Sequence, residues 1–533
     1  MVPPGRGARV IQAVMGLWAV GLVVIAVCWP MRLVQAAIVC SVFGGAAIAK
    51  LGGLAVSPYY FTLMLIAARC AILPVTGKDL FGRVDAVRRA MRCAAVLLVI
   101  GLGSAFVLPR VFTGLGVLSP RLDADYEAPL AFSNSNLGQA VYLLLNVMLL
   151  WYAAQTCRTA DTARGVVRAF YLAGVIVIGV AAYQLLSSLT GLPFPDALLY
   201  SNDSFVMQAG TAILDMPRIC ATYTEPAGLA SFLVPLILLV AGMAELPSSG
   251  WRETALLIAA IAFCILSTSS TAYLGLAGIA AWAVCRYVFL PAMRGRGNAK
   301  AATAVLVLIV AAVVTVAASS QLQEVLRVMV FEKNQTSSYE QRSFADGHSM
   351  ALAKTTYGLG VGLGSNRASS FLPSMLSTIG IYGLMALAVL VFLLVRRPRS
   401  ASPVLALQGP LSASLFGAFG VLLVAGPDLS IPTIWVGMAA LVAVLAATET
   451  STAADTELAV EASPPRVAFS GVRVGLGDDT GVLAGHAQQQ LGLGNRRLIF
   501  SVGRGRAGEL LAQTGALRRL PLDLGVGGSE ASG

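Results

Sequence analysis

Apolar runs of membrane-spanning length follow one another almost without pause from residue 10 to residue 447. They cover 10–29, 33–49, 54–73, 93–112, 137–156, 169–190, 226–245, 252–268, 270–290, 301–318, 371–395, 411–426 and 431–447. In lipid only helices and closed barrels satisfy every backbone amide and carbonyl. These runs are continuous rather than alternating, so they predict helices. The expected fold is all-α, a polytopic membrane protein of about 12 transmembrane helices of roughly 20 residues each. Charged residues make up only 12% of the chain and mean hydropathy is +0.78. A soluble domain carries about twice that charge.

The basic residues orient the runs. Loops 74–92, 157–168, 286–300 and the start of 396–410 hold Lys78, Arg83, Arg88, Arg158, Arg164, Arg286, Arg294, Arg396 and Arg397. The excess of lysine and arginine in cytoplasmic loops places these four on one side, the cytoplasm. Loops 113–136, 191–225 and 319–370 then face the other way. The same rule accounts for the net charge of +11 without nucleic acid. No stretch interleaves basic and aromatic residues as a nucleic-acid surface would. The first two runs break the parity. The preferred reading gives 10–49 a single true span and puts the N-terminus, with Arg6 and Arg9, inside. An uncleaved first helix is expected rather than a signal peptide, since spans follow and no small-x-small cleavage site is apparent. Residues 448–533 are rich in Gly, Ala and Ser and show no sustained period. They read as a disordered cytoplasmic tail after a membrane domain 1–447, with a short amphipathic helix near 507–520.

Several chemistries find no residues here. The eight cysteines form no CxxC pair, which argues against a disulfide framework or a zinc site. His348 and His486 are the only histidines, too few for a histidine metal site. P-loop, HExxH and nucleophile-elbow patterns are missing.

The long polar insert 319–370 is the first place for chemistry. Ser337 followed by Glu340 fits a capping box, and a helix is expected over 338–356, ended by Gly358. On it Arg342, Ala345, Asp346 and Ser349 share one face. His348 points about 120° from Arg342. An Arg342–Asp346 surface pair of little consequence is the plainer alternative. Gly358, Gly360, Gly362 and Gly364 follow. They offer either backbone amides for a phosphate or a flexible return into the bilayer. Arg367, just beyond, faces lipid headgroups or a substrate phosphate.

A second candidate is Arg218 with Glu225, which precedes Pro226 at a helix start. Glu225 is either a capping charge or a functional carboxylate at the membrane edge. A third, Asp123-Ala-Asp125, matches the metal–nucleotide-sugar pattern of some soluble glycosyltransferases. Three residues carry little information, and nucleotide sugars lie on the cytoplasmic side. The serine-rich stretch 267–271 separates two helices with almost no loop and reads as structural.

Taken in order, three of these features resemble the O-antigen polymerase and ligase superfamily, which includes exopolysaccharide polymerases. They are Arg218 followed by Thr224-Glu225-Pro226-Ala227, the Ser/Thr-rich break at 267–271, and a large loop ending in Gly-Val-Gly-Leu-Gly-Ser (360–365) before Thr378-Ile-Gly380-Ile-Tyr-Gly383-Leu. The resemblance covers roughly 130–395. It implies a membrane glycosyltransferase fold like that of lipid-donor (GT-C-like) enzymes, in a bacterial inner membrane. It also implies transfer of an oligosaccharide from undecaprenyl diphosphate to an acceptor hydroxyl on the periplasmic side, without a metal or other cofactor. The ligase branch places a histidine shortly after its glycine segment, where this chain has Ser369, Ser370 and Phe371. That departure favours a polysaccharide polymerase over a lipid A-core ligase. For that transfer arginines suit the departing diphosphate, so Arg218, Arg342 and Arg367 are expected to bind it, with Arg342 also counted as catalytic. Glu225 is the first choice for the group that orients or deprotonates the acceptor hydroxyl, and His348 the second. His348 lies upstream of the ligase position, so the ligase histidine's role is not carried over to it. Expected partners are the lipid-linked oligosaccharide, membrane lipid, and a chain-length regulator and flippase of the same pathway. A transporter or flippase is the reading of a different class. Against it, no inverted repeat is evident and the candidate charges sit at span ends rather than mid-membrane.

Overall fold

In the computed structural model, residues 6–51, 54–72, 85–118, 127–202, 212–213, 216–247, 249–294, 337–398 and 402–461 are described, with single residues scattered between 303 and 327. The long apolar runs become helices because nothing else satisfies their backbones away from water. In chain order they are α1 (Arg6–Cys28), α2 (Leu33–Cys40), α3 (Pro58–Ile72), α4 (Asp85–Val111), α5 (Asn134–Thr156) and α6 (Ala160–Thr190). A short α7 (Asp196–Leu199) precedes α8 (Pro226–Ala244), α9 (Trp251–Leu266) and α10 (Ser270–Val284). α10 continues through a π turn into α11 (Leu290–Met293). Then come α12 (Ser337–Thr355), α13 (Phe371–Thr378), α14 (Gly380–Val395), α15 (Gln408–Leu422) and α16 (Pro432–Glu461). Three antiparallel hairpins are the only sheet among the described residues: Ala49–Leu51 with Leu54–Val56, Gly116–Leu118 with Glu127–Pro129, and Ala212–Ile213 with Met216–Pro217.

Six of the helical stretches are long and apolar enough to cross a membrane: Asp85–Val111, Asn134–Thr156, Ala160–Thr190, Pro226–Ala244, Ser270–Met293 and Pro403–Leu422. The chain is therefore a helical membrane protein. Other apolar helices are shorter, among them Pro58–Ile72 and Gly380–Val395. The run 301–318 falls mostly outside the described residues, as do Asp123, Asp125, the insert up to residue 336 and the tail from 462. The chain divides into Met1–Val460 and Glu461–Gly533, and the elements above build the first unit.

Three expectations are corrected. The run 33–49 is not one helix. α2 stops at Cys40, and 41–48 turns back because Thr222 claims it: Thr222 Oγ1 donates to the Val42 carbonyl and Gly45 N–H donates to the Thr222 carbonyl (3.2 Å). Gly45 fits only without a side chain, since a Cβ there would lie 2.8 Å from the Leu199 carbonyl oxygen. Nor does α1 start on the basic side, as the expected N-terminal topology requires. Past the end of α1, the Pro30 carbonyl accepts from Tyr152 (2.8 Å), near the end of α5 that leads into basic loop 157–168. Further back, Trp18 packs edge-on against Phe43 in the turn beneath Thr222. α1 thus runs toward the basic end, antiparallel to α2, and begins at the opposite end. Finally, helix does not end with the last apolar run at 447: α16 continues through polar residues to Glu461, past the expected start of the disordered tail at 448.

The two halves of run 371–395 are joined at Gly380, whose φ of +69° breaks the helix between α13 and α14. That break receives the glycine segment. Gly358, Gly360, Gly362 and Gly364 all take positive φ, between +76° and +109°, a region that L side chains seldom enter. The ribbon is rigid. Its amides are spent inside the protein: Gly360 donates to Thr356 Oγ1 (3.1 Å), Val361 to the Ser377 carbonyl (2.7 Å), Gly362 to the Thr378 carbonyl (3.0 Å) and Leu363 to Ser104 Oγ (3.3 Å). Neither a phosphate cradle nor a flexible return into the bilayer describes it. A Cβ at Gly360 would meet the Thr378 carbonyl oxygen at 2.5 Å, and one at Gly364 the Ser135 carbonyl oxygen at 2.7 Å.

Gly360→Ala should therefore lower the unfolding temperature of the purified protein, through about 1–2 kcal/mol of left-handed strain plus about 1–3 kcal/mol of overpacking. An unchanged melting curve would show that the ribbon yields.

Candidate functional site

Residues 337–370 of the polar insert fold onto the ends of α4 and α5. α12 begins at Ser337 and ends before Tyr357 and Gly358, which both take positive φ, as the capping box and glycine predicted. Ala345 and Ser349 are buried on its inner face, and Arg342 and Asp346 are half-buried beside them. The buried network behind this face is fully polar. Asn366 Nδ2 donates to Ser349 Oγ (2.8 Å) and Ser377 Oγ (3.1 Å), and its Oδ1 accepts from Leu118 N–H (3.1 Å). Asn136 Nδ2 donates to the Leu363 carbonyl (2.8 Å) and Ser365 Oγ (2.7 Å). Paired this way, buried amides and hydroxyls fix one geometry.

Asp346 does not pair with Arg342. Its Oδ1 accepts from the amides of Ser369 (2.7 Å) and Ser370 (3.0 Å), and its Oδ2 from Ser370 Oγ (2.7 Å). It holds the N-terminus of α13, where four helix amides need acceptors. Arg342 is left without a hydrogen bond or ion pair to any described residue. His348 points to the 116–129 hairpin. Its Nε2–H donates to the Gly116 carbonyl (3.1 Å), and Nδ1 meets Glu127 Oε1 at 3.4 Å. Both ring nitrogens thus face protein acceptors, which makes His348 a clamp on the hairpin. Arg367 is anchored by its backbone to the same hairpin, its amide donating to the Leu118 carbonyl (2.9 Å), and its side chain is exposed.

The Arg218–Glu225 segment is a tight knot in a different hydrophobic cluster, around Ile219, Ala221 and Tyr223. Gln184 of α6 accepts from the amides of Cys220 (2.9 Å) and Ala221 (2.8 Å), and Tyr200 donates to the Ala221 carbonyl (2.9 Å). Ala221 is held at φ +53°, unusual for a residue with a Cβ. Glu225 is the N-cap residue of α8, yet its side chain makes no cap hydrogen bond. Desolvation lowers the basicity of Arg218, with Cys220 and Glu225 opposing. Burial pushes the Cys220 thiol up to about 12 despite Arg218, so it stays protonated and is no nucleophile at neutral pH.

A third group was not singled out by sequence reasoning. The turn between α15 and α16 is pinned by Tyr60, which donates to the Ser430 carbonyl (2.6 Å), and by Trp435, which donates to the Leu429 carbonyl (2.6 Å). It presents Asp428 toward Arg367. The carboxyl keeps solvent access while packed protein surrounds it; this desolvation raises its pKa and Arg367 counteracts it. Tyr142, stacked on Tyr60 at 4.1 Å, lies in the field of the same carboxylate. In the sequence, the only hint was an acid in a short connection between two apolar runs.

Arg218 thus lies within electrostatic range of Glu225, and Arg367 within that of Asp428, while His348 and the Arg367 amide both bond to the 116–129 hairpin. Arg342 stands on the same polar cap as His348. No group of three or more metal-ligating residues occurs among the described residues. No protein-family model, no curated protein and no solved structure matches the chain.

Asp346→Ala should cost about 1 kcal/mol by uncapping α13, while Asp346→Asn, which keeps an acceptor, should cost less. Equal unfolding temperatures for the two variants would remove the capping role.

Proposed function

We propose that the chain is a membrane glycosyltransferase that extends a polysaccharide from undecaprenyl-diphosphate-linked repeat units at the outer face of a bacterial inner membrane. The single observation that carries the reading is Arg342: a half-buried guanidinium with no hydrogen bond or ion pair among the described residues, set on α12 at the end of the bundle opposite the basic loops. A guanidinium kept unpaired in such a place is suited to an anion that arrives from outside the fold. Arg367 on the same cap, and Arg218 in the separate 218–225 knot, are the further arginines this reading assigns to the diphosphate. The polymerase resemblance supports the reading without a metal or cofactor.

The chemistry balances on these groups. An acceptor hydroxyl oxygen forms a bond to the anomeric carbon, and the bond from that carbon to the diphosphate oxygen breaks. The bonding pair leaves with the diphosphate, whose charge the arginines neutralise. The hydroxyl proton passes to a carboxylate. Glu225 takes that role: it stands at the N-cap position of α8, yet its carboxylate accepts no capping hydrogen bond from the helix amides. His348, placed by sequence among the catalytic residues, acts here by fixing the hairpin that carries Arg367. Specificity for sugar and linkage belongs to groups around the acceptor.

A strain lacking this chain should accumulate single repeat units on its surface. The wild-type gene should restore long polymer, whereas Arg342→Ala and Glu225→Gln at equal expression should reduce it by about 100-fold or more, the scale of losing an electrostatic or proton-transfer group. Polymer of normal length from Glu225→Gln would remove it as the base. Polymer that is intact but unattached in the deletion strain would instead make the chain a ligase.

A further inference from the structure

At the other end of the bundle, α1, α2 and α6 leave a cleft of about 660 Å³ between them. Its lining divides by chemistry. Arg32, Gln35, Asp161 and Arg168 occupy one end, and Trp18, Leu22, Ile25, Val39 and Leu172 line the rest. On α6 the lining positions 161, 165, 168, 169 and 172 recur with helical spacing, so they form one stripe. From Asp161 to Leu172 that stripe rises about 16 Å at 1.5 Å per residue. This matches one leaflet of a hydrocarbon core about 30 Å thick. The cleft is floored by the edge-on contact of Trp18 with Phe43, in the turn where α2 stops short.

Of the charges at the mouth, Asp161 is engaged by Arg164 at 3.3 Å, whereas Arg32 and Arg168 are exposed and have no ion pair among the described residues. Two free guanidinium groups at the basic-loop end, above an apolar channel one leaflet deep, fit a phosphate ester with an attached chain. Gly165 lets Gln35 approach α6, since a Cβ there would lie 2.4 Å from Gln35 Nε2. Gly21, by contrast, faces open space within the cleft.

We propose that this cleft binds one acidic glycerophospholipid, its phosphate held by Arg32 and Arg168 and one acyl chain lying against Trp18, Gly21 and Leu172. A zwitterionic headgroup would bring its own cation against the two arginines, so the site selects for net negative charge. The bound lipid closes the gap between α1 and the bundle. The site is separate from the polar cap and does not depend on the glycosyltransferase reading.

The test is native mass spectrometry of the full chain in mild detergent, titrated with phosphatidylglycerol or phosphatidylcholine. Two arginines at about 1 kcal/mol each predict a preference of about 30-fold for the anionic lipid. Arg32→Gln with Arg168→Gln should abolish the preference. Gly21→Leu should block the channel and weaken phosphatidylglycerol binding while leaving the melting temperature in detergent unchanged. Equal binding of the two lipids by the wild type would overturn the proposal, as would undiminished phosphatidylglycerol binding in both variants. Displacement of the lipid by millimolar inorganic phosphate would also overturn it, because the site would then hold an anion rather than a lipid.

Discussion

Buried backbone groups must find protein partners, and the glycine ribbon 358–364 shows the consequence most clearly. Its four glycines cannot be helical, because their φ values are positive. The segment is tolerated because Ser104, Thr356, Ser377 and Thr378 supply acceptors for its amides. The ribbon lies between α4, the start of α5 and the α13–α14 break, closer than any Cβ would allow. Everything on the polar cap hangs from that seam. α12 leads into it, Asn366 follows from it, and Asp346 fastens the helix that comes after.

The same constraint shapes the 218–225 knot. A segment held at an unfavourable backbone angle, with two amides on the Gln184 carbonyl, cannot easily relax. Strain of this kind persists only where the surroundings over-determine it. Rigid backbones at both places leave Arg342, Arg367 and Glu225 with their charged ends uncommitted to secondary structure.

The sequence made the helices legible because apolar length is a strong signal, and it placed α12 because the capping box and Gly358 mark both ends. It missed the stop of α2 at Cys40, which is set by Thr222 across 180 residues of chain. It missed the direction of α1, which depends on the contacts of Trp18 and Pro30 rather than on Arg6 and Arg9. Nor does apolar composition separate a helix facing lipid from one enclosed by protein. The window within Ser270–Met293 has nothing buried, while Trp435, Ala439 and Val442 of α16 are wholly enclosed. Arg218, Glu225 and Arg342 stood out as charges at span ends. Asp428 did not, because its neighbour Arg367 is distant in sequence. His348 stood out by its residue type, and only the Gly116 carbonyl and Glu127 reveal what it does.

The most direct test of the central claim is a reconstitution. The purified chain would be placed in lipid nanodiscs with a synthetic polyprenyl-diphosphate oligosaccharide, in the presence of a metal chelator, and the glycans and free polyprenyl diphosphate measured over time. The account predicts longer glycans with one diphosphate lipid released for each bond formed, undiminished by the chelator. Intact donor after prolonged incubation with a folded, lipid-loaded protein would contradict it.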